Sequence, residues 1–357
     1  MTPLTNSHER ALTLLFAELQ SAAAEQNEAF LGTPGTLAER NNDNGTRFWV
    51  HRYSDAVGRR QEVYLGKIDD PAVMARVADL RDRIEAANAT ISRVRLLARA
   101  GFATVDRKAY STLASLHNHG LFRAGAMLVG SHAYGALLNA VGVRAVPYAT
   151  EDVDIARAEA LALPGSPALL EMLRETGIRF FEVPQLSRRA PSVSFAERGG
   201  SRLRVDLLAP SKGGGYSTVA VPELRAHARA LPYFAYLLAA SQEVPALSAY
   251  GAVMVRVPFP ERYAVHKLIV SQLRTKTSTP QKDLRQAATL LEAVAERFPG
   301  AVDEALKATP RGAARHVARA LTALKQHLPA SAESAWEALA SARARRPNHQ
   351  TGRKFPG

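Results

Sequence analysis

Apolar positions along the chain recur with two periods. Leu12, Leu15, Phe16 and Leu19 fall at three- and four-residue intervals after a Ser/Asn cap, which predicts a helix over about 7–24. A longer helical pattern runs from Pro71 to about Ala100, and a shorter one lies between Gly101 and Gly120. Elsewhere the period is two. Arg47-Phe-Trp-Val-His-Arg-Tyr53 and Arg60-Gln-Glu-Val-Tyr-Leu65 read as strands around the turn Asp55-Ala-Val-Gly58, with Asn41–Gly45 as a further turn. Trp49 and Tyr53 then share a face, either as the packed side of a small sheet or as a surface on which bases could stack. Met127–Val129, Asp152–Ile155, Arg179–Val183, Ser192–Phe195 and Leu203–Leu208 predict a mixed sheet, with a helix near Pro167–Glu175. From Pro222 the pattern is mainly helical, interrupted by a strand at Ala252–Val257; helices are expected after Pro260 and from Gln281. The expected organisation is therefore a helical and β-hairpin region (1–100), an α/β core (101–221), a mainly helical domain (222–342) and a basic tail (343–357) with no acidic residue.

Two of these strands carry three carboxylates among apolar residues. Alternation puts Asp152 and Asp154 on one face while Val153 and Ile155 pack behind it, and Asp206 stands between Val205 and Leu207 on a separate strand. Carboxylates converging in this way suit hard divalent cations, which take oxygen ligands and associate with triphosphates. Gly130 and Ser131 follow an apolar strand and open a helix. Glycine lets a backbone approach a phosphate closely, and a helix start offers unpaired N–H groups to an anion. Taken singly, a Gly-Ser is an N-cap and an Asp-x-Asp a solvated strand end. Their order along the chain favours the site.

Gly-Ser-x-Ala-Tyr at 130–134, Thr-x-Asp-Val-Asp at 150–154 and apolar-Asp-apolar at 205–207 resemble the DNA polymerase β-like nucleotidyltransferase superfamily, in particular a bacterial group with these motifs. The resemblance implies an α/β (α+β) fold with a polymerase β-like core. It also implies catalytic, metal-binding roles for Asp152, Asp154 and Asp206, with Mg²⁺ or Mn²⁺ as cofactor. Gly130 and Ser131 would hold the phosphates of an NTP. In such proteins a lysine of the helix after Pro260 commonly reaches the nucleotide, which makes Lys267 the candidate and Arg274 and Lys282 its support; the alternative for all three is a solvated helix charge.

Composition changes the picture in two respects. The 357-residue chain is too long for one small core, and its 46% hydrophobic content is ample for globular packing. The absence of cysteine excludes disulfides and thiolate zinc sites, and no apolar run approaches a membrane span, so a soluble cytoplasmic protein is expected. The net charge of +13 points to a polyanion, RNA before others. Arg76, Arg81, Arg83, Arg93, Arg95 and Arg99 line the long helix, and Arg311, Arg315 and Arg319 recur at four-residue spacing on another; each set is a phosphate-binding face or a solvated one. His117-Asn-His119 reads as a polar helix end, Ser211–Tyr216 as a glycine-rich turn, and His132 as a helix-start contact or a phosphate ligand.

Together these features predict transfer of an NMP from an NTP to an acceptor hydroxyl with release of pyrophosphate, the acceptor being RNA such as a tRNA 3′ end. Toxin-type relatives make an antitoxin a possible partner. The alternatives are nucleotidylation of a protein or a small molecule, or a non-catalytic nucleic-acid-binding protein.

Overall fold

The computed structural model describes residues 4–344 apart from Pro147, Ala149, Pro164, Arg188, Arg189, Ser201, 275–279 and 329–331. The basic segment 343–357 lies, but for its first two residues, outside the described residues. Contacts divide the chain into two units, one formed by Ser7–Phe259 and the other by the chain from Pro260 onward with its first residues. The sequence pattern places a boundary at 221/222; the first unit continues past it.

The first unit begins at the second residue of β1 (Asn6–Ser7) and continues into α1 (Arg10–Glu25). Next comes an antiparallel sheet of β2 (Thr36–Asn41), β3 (Arg47–Ser54) and β4 (Arg60–Lys67), followed by the long helix α2 (Pro71–Arg99). Asp70 caps α2 by accepting from the Ala72 amide, ahead of Pro71 at the first helical position. The helix α3 (Arg107–Asn118) is capped likewise by Asp106, whose Oδ1 accepts from Lys108 and Ala109.

After α3 come β5 (Met127–Val129), α4 (Gly130–Val141), β6 (Val143–Arg144) and β7 (Asp152–Ala156). They lead on to α5 (Leu169–Arg174), β8 (Phe180–Glu182), β9 (Ser194–Glu197), β10 (Arg204–Pro210), β11 (Ser217–Val221) and β12 (Ala226–Leu231). The sheet runs β11-β12-β10-β7-β5, with β9 on β10 and β8 on β9. It is mixed, as expected: β12, β10 and β7 are mutually parallel and the other pairings antiparallel.

One expectation fails. Residues 222–258 are not mainly helical, since β12 is followed by the short helix α6 (Phe234–Leu238) and then by a hairpin of β13 (Ser241–Ser248) and β14 (Gly251–Pro258). In β12 the buried Ala226, Ala228 and Ala230 alternate with His227 and Arg229. Alanine favours helices in isolation, and here sheet pairing overrides that preference. The hairpin lies under the N-terminal helices: Leu247, Ala252 and Met254 pack with Phe16, Leu19, Val94, Leu97 and Phe102. Each fully buried Leu in this cluster contributes about 1.5–3 kcal/mol of transfer free energy, so α1 and α2 belong to the same core as the hairpin.

The second unit is helical: α7 (Pro260–Leu273), α8 (Pro280–Arg297), α9 (Ala301–Lys307), α10 (Ala314–Leu324) and α11 (Glu333–Ala344). The chain start joins it, Leu4 N–H and the Thr5 hydroxyl donating to Glu292 Oε2 at 3.1 and 3.3 Å.

Candidate active site

The carboxylates are positioned by strand register. Asp154 of β7 is paired with Asp206 of β10, and Asp152 with Arg204. Cross-strand partners point to the same side of a sheet, so these four polar residues share one face. Behind it Val153, Ile155, Val205 and Leu207 are fully buried. Two apolar residues per strand thereby anchor the carboxylates to the core. Asp152, at the strand start, is exposed, whereas Asp154 and Asp206 are half-buried. The Asp152 amide donates to the Thr150 hydroxyl at 3.2 Å, a local bond that shapes the entry into the strand.

On the other side of β7, the antiparallel strand β5 sets Val129 opposite Asp154, so the chain enters α4 beside that carboxylate. Gly130 has φ +68°, and a Cβ built on it would lie 2.0 Å from Asp154 Oδ2. Conformation and space both demand glycine there. Ser131 follows in the first turn of α4, half-buried, and His132 is buried. The far end of α4 is held by Asn139, whose side chain exchanges two 2.8 Å hydrogen bonds with the backbone of Ala103.

Sequence reasoning missed two residues of this face. Arg204 Nε donates to Asp206 Oδ1 at 2.7 Å, and its Nη2 donates to Ser194 Oγ at 2.7 Å. Ser194 is the β9 partner of Asp206. The guanidinium thus holds one oxygen of Asp206 and partly balances the negative charge of the face. A signal was present for Arg204, because a residue two positions before Asp206 must share its face.

The remaining candidates lie in the second unit. Lys267 Nζ donates to Asp283 Oδ1 at 2.8 Å, and Arg274 Nε bonds Asp283 Oδ2. Asp283 is 1% exposed and Lys267 9%. The Lys267 ammonium also stands 5.3 Å from the centre of the Tyr263 ring. Lys267 and Asp283 form a buried ion pair between α7 and α8 with the exposed Arg274 at its edge, and no sequence spacing linked Lys267 to Asp283. Lys282 precedes Asp283 and is half-buried. Next to Lys267, burial pushes His266 down to about 3, an effect that Lys267 and Arg274 reinforce and Asp283 opposes.

Other motifs have structural uses. His117 Nδ1 lies 3.0 Å from the Met254 carbonyl, and His119 Nε2 lies 2.7 Å from Glu175 Oε2. Ser211–Tyr216 links β10 to β11 as an exposed turn. Of the arginines on α2, Arg76 donates to the Leu65 carbonyl, Arg83 pairs with Glu28, and Arg81 lies over Trp49. Arg311, Arg315 and Arg319 are exposed.

A nucleotidyltransferase family model matches residues 107–310, more than half of the chain, from the first residue of α3 through β5, β7 and β10. The chain belongs to the nucleotidyltransferase family. No curated protein matches it. In this nucleotidyltransferase the residues on the face fit a hard divalent cation by donor type. Asp154 and Asp206 offer carboxylate oxygens at paired positions, and the missing side chain of Gly130 lets the backbone lie close to the Asp154 carboxylate. Among the described residues no three His, Asp or Glu side chains form a ready-made metal cage. A cation on this face would therefore complete its shell with water and substrate phosphates, as Mg²⁺ usually does. Among the described residues no helix of this nucleotidyltransferase is long and apolar enough to cross a membrane.

Proposed function

We propose that this nucleotidyltransferase is of the polymerase β-like type and moves an NMP from an NTP to the hydroxyl of an RNA acceptor. The acceptor oxygen forms a bond to the α-phosphorus, the bond from that phosphorus to the bridging oxygen breaks, and pyrophosphate leaves with the electron pair. Asp206 is the base that takes up the hydroxyl proton. Gly130, Ser131 and the start of α4 receive the triphosphate, because the first N–H groups of a helix attract anions. Asp152, Asp154 and Asp206 would hold Mg²⁺ or Mn²⁺, which when bound neutralises phosphate charge and lowers the pKa of the attacking hydroxyl. Arg204 keeps the Asp206 carboxylate turned to the open face. Within the second unit, Lys267 and Arg274, both held by Asp283, and Lys282 are kept as candidates for a nucleotide phosphate.

The observation that supports this reading best is the pairing of Asp154 with Asp206 on adjacent parallel strands, with the Gly130 backbone against Asp154. The net charge of +13 favours an RNA acceptor over a small molecule. Incubation with each labelled NTP, Mg²⁺, total RNA and total protein tests both points on one gel. Label in RNA is the expected outcome; label in protein would redirect the acceptor, and no label with any NTP and either metal would sink the proposal.

A further inference from the structure

The β2-β3-β4 sheet has two unlike faces. Trp49, His51 and Tyr53 occupy one. There the Arg81 guanidinium lies 5.9 Å from the centre of the Trp49 ring, and Phe30 and His51 have ring centres 6.2 Å apart. A side chain on Gly66, the partner of Trp49, would strike Val73 of α2. This face is spent on packing against α2 and the segment before the sheet.

The register puts Arg40, Phe48, Arg52, Arg60, Tyr64 and Lys67 on the opposite face. Phe48 and Tyr64 stand side by side, with ring centres 5.4 Å apart, and Tyr64 is 59% exposed. Glu62 is the one acidic side chain among them, and it is shared by Arg40 at 3.2 Å and Arg52 at 3.4 Å. An exposed Tyr64 ring with the half-buried Phe48 ring tilted by 52° beside it, surrounded by an excess of cations, is unfavourable for a face with nothing to bind. It matches an unpaired nucleic-acid strand, whose bases stack on rings while its phosphates meet arginine and lysine. A duplex hides its base faces and fits less well. The platform is also fixed within its unit: the Asp55 carboxylate accepts from the Val57 and Arg59 amides at 3.1 and 2.8 Å. In turn Arg59 Nη2 donates to the Gly177 carbonyl just beyond α5 at 3.0 Å.

We infer that this outer face of the β2-β3-β4 sheet binds single-stranded RNA, with bases on Phe48 and Tyr64 and phosphates on Arg40, Arg52, Arg60 and Lys67. That it thereby holds the acceptor strand rests on the reaction proposed above.

The test is fluorescence anisotropy with the full-length protein and a fluorescein-labelled single-stranded RNA, alongside the same RNA annealed to its complement. The F48A/Y64A protein should bind the single strand at least about tenfold more weakly, while Tyr64→Trp restores binding. Arg60→Ala with Lys67→Ala should reduce the slope of log affinity against log salt by about 0.7 for each phosphate no longer neutralised. Thermal melts of the variants show whether the sheet survives, Tyr64, Arg60 and Lys67 being exposed and Phe48 half-buried. The inference is overturned if the wild-type protein does not bind the single strand at low salt, if it binds the duplex as tightly, or if folded F48A/Y64A protein binds unchanged. In the last case the face would suit a protein partner. The reaction fails separately: ring-dependent RNA binding without NMP transfer to any RNA would leave the surface intact and remove the acceptor role.

Discussion

Gly130→Ala is the sharpest probe of the proposed catalytic geometry. Two costs follow from the structure. Alanine at φ +68° is strained by about 1–2 kcal/mol, the ordinary penalty of the left-handed region. The new Cβ would also lie 2.0 Å from Asp154 Oδ2, where contacts closer than 3.0 Å do not occur, so backbone and carboxylate must part by 3.0 − 2.0 = 1.0 Å. Since β5 and α4 are packed, much of that movement falls on the half-buried Asp154 side chain. A displacement of about 1 Å at reacting groups can cost about 10²-fold in rate, so NMP transfer should drop by about that factor while the melting temperature falls only modestly. Gly300→Ala is the control: Gly300 has φ +90° and a Cβ added there would meet nothing within 4 Å, so it should carry the conformational cost without the loss of rate. Single-turnover transfer of labelled NMP, with calorimetric melts of both variants, gives the comparison. A folded Gly130→Ala protein with the wild-type rate would refute the close approach of Gly130 to Asp154 and the role assigned to both.

Asp154→Asn keeps the shape of the side chain and removes its charge, so transfer should fall by orders of magnitude while the melt is preserved or raised; full activity in a folded variant would end the catalytic assignment. Lys267→Ala removes a buried partner of Asp283 and leaves Arg274 alone to balance it, so a loss of roughly 1–3 kcal/mol in chemical denaturation is expected alongside weaker NTP use. An unchanged denaturation midpoint would place Lys267 outside the ion cluster. His266 binds its proton in the unfolded chain near pH 6.5 but in the folded protein only near 3, so stability present above 6.5 should be lost as pH falls between these values, at up to about 1.4 kcal/mol per pH unit. His266→Gln should flatten that acid limb in denaturation series, and an equally steep limb in the variant would assign it to other groups.

Local pattern was enough to determine the elements that build the site. The apolar residues around Asp152, Asp154 and Asp206 follow period two because one side of each strand faces the core, and Gly130-Ser131 marks the passage from strand to helix. The family match spans those same residues. Tertiary structure decided what pairs with what. Nothing in the sequence sets Asp154 opposite Asp206 rather than one residue away, which would send one carboxylate to the wrong face. Nor does it show that Arg204 turns to Asp206, or that Lys267 and Arg274 meet at Asp283, since such contacts depend on how side chains and helices are placed in space. The strand at Ala226–Leu231 was illegible for a related reason: an alanine-rich segment favours helix alone, and only pairing with its neighbour strands makes extended structure the better burial. The division of the small sheet into a packed face and an open one was likewise beyond the sequence, because period two separates two faces without saying which of them α2 will cover.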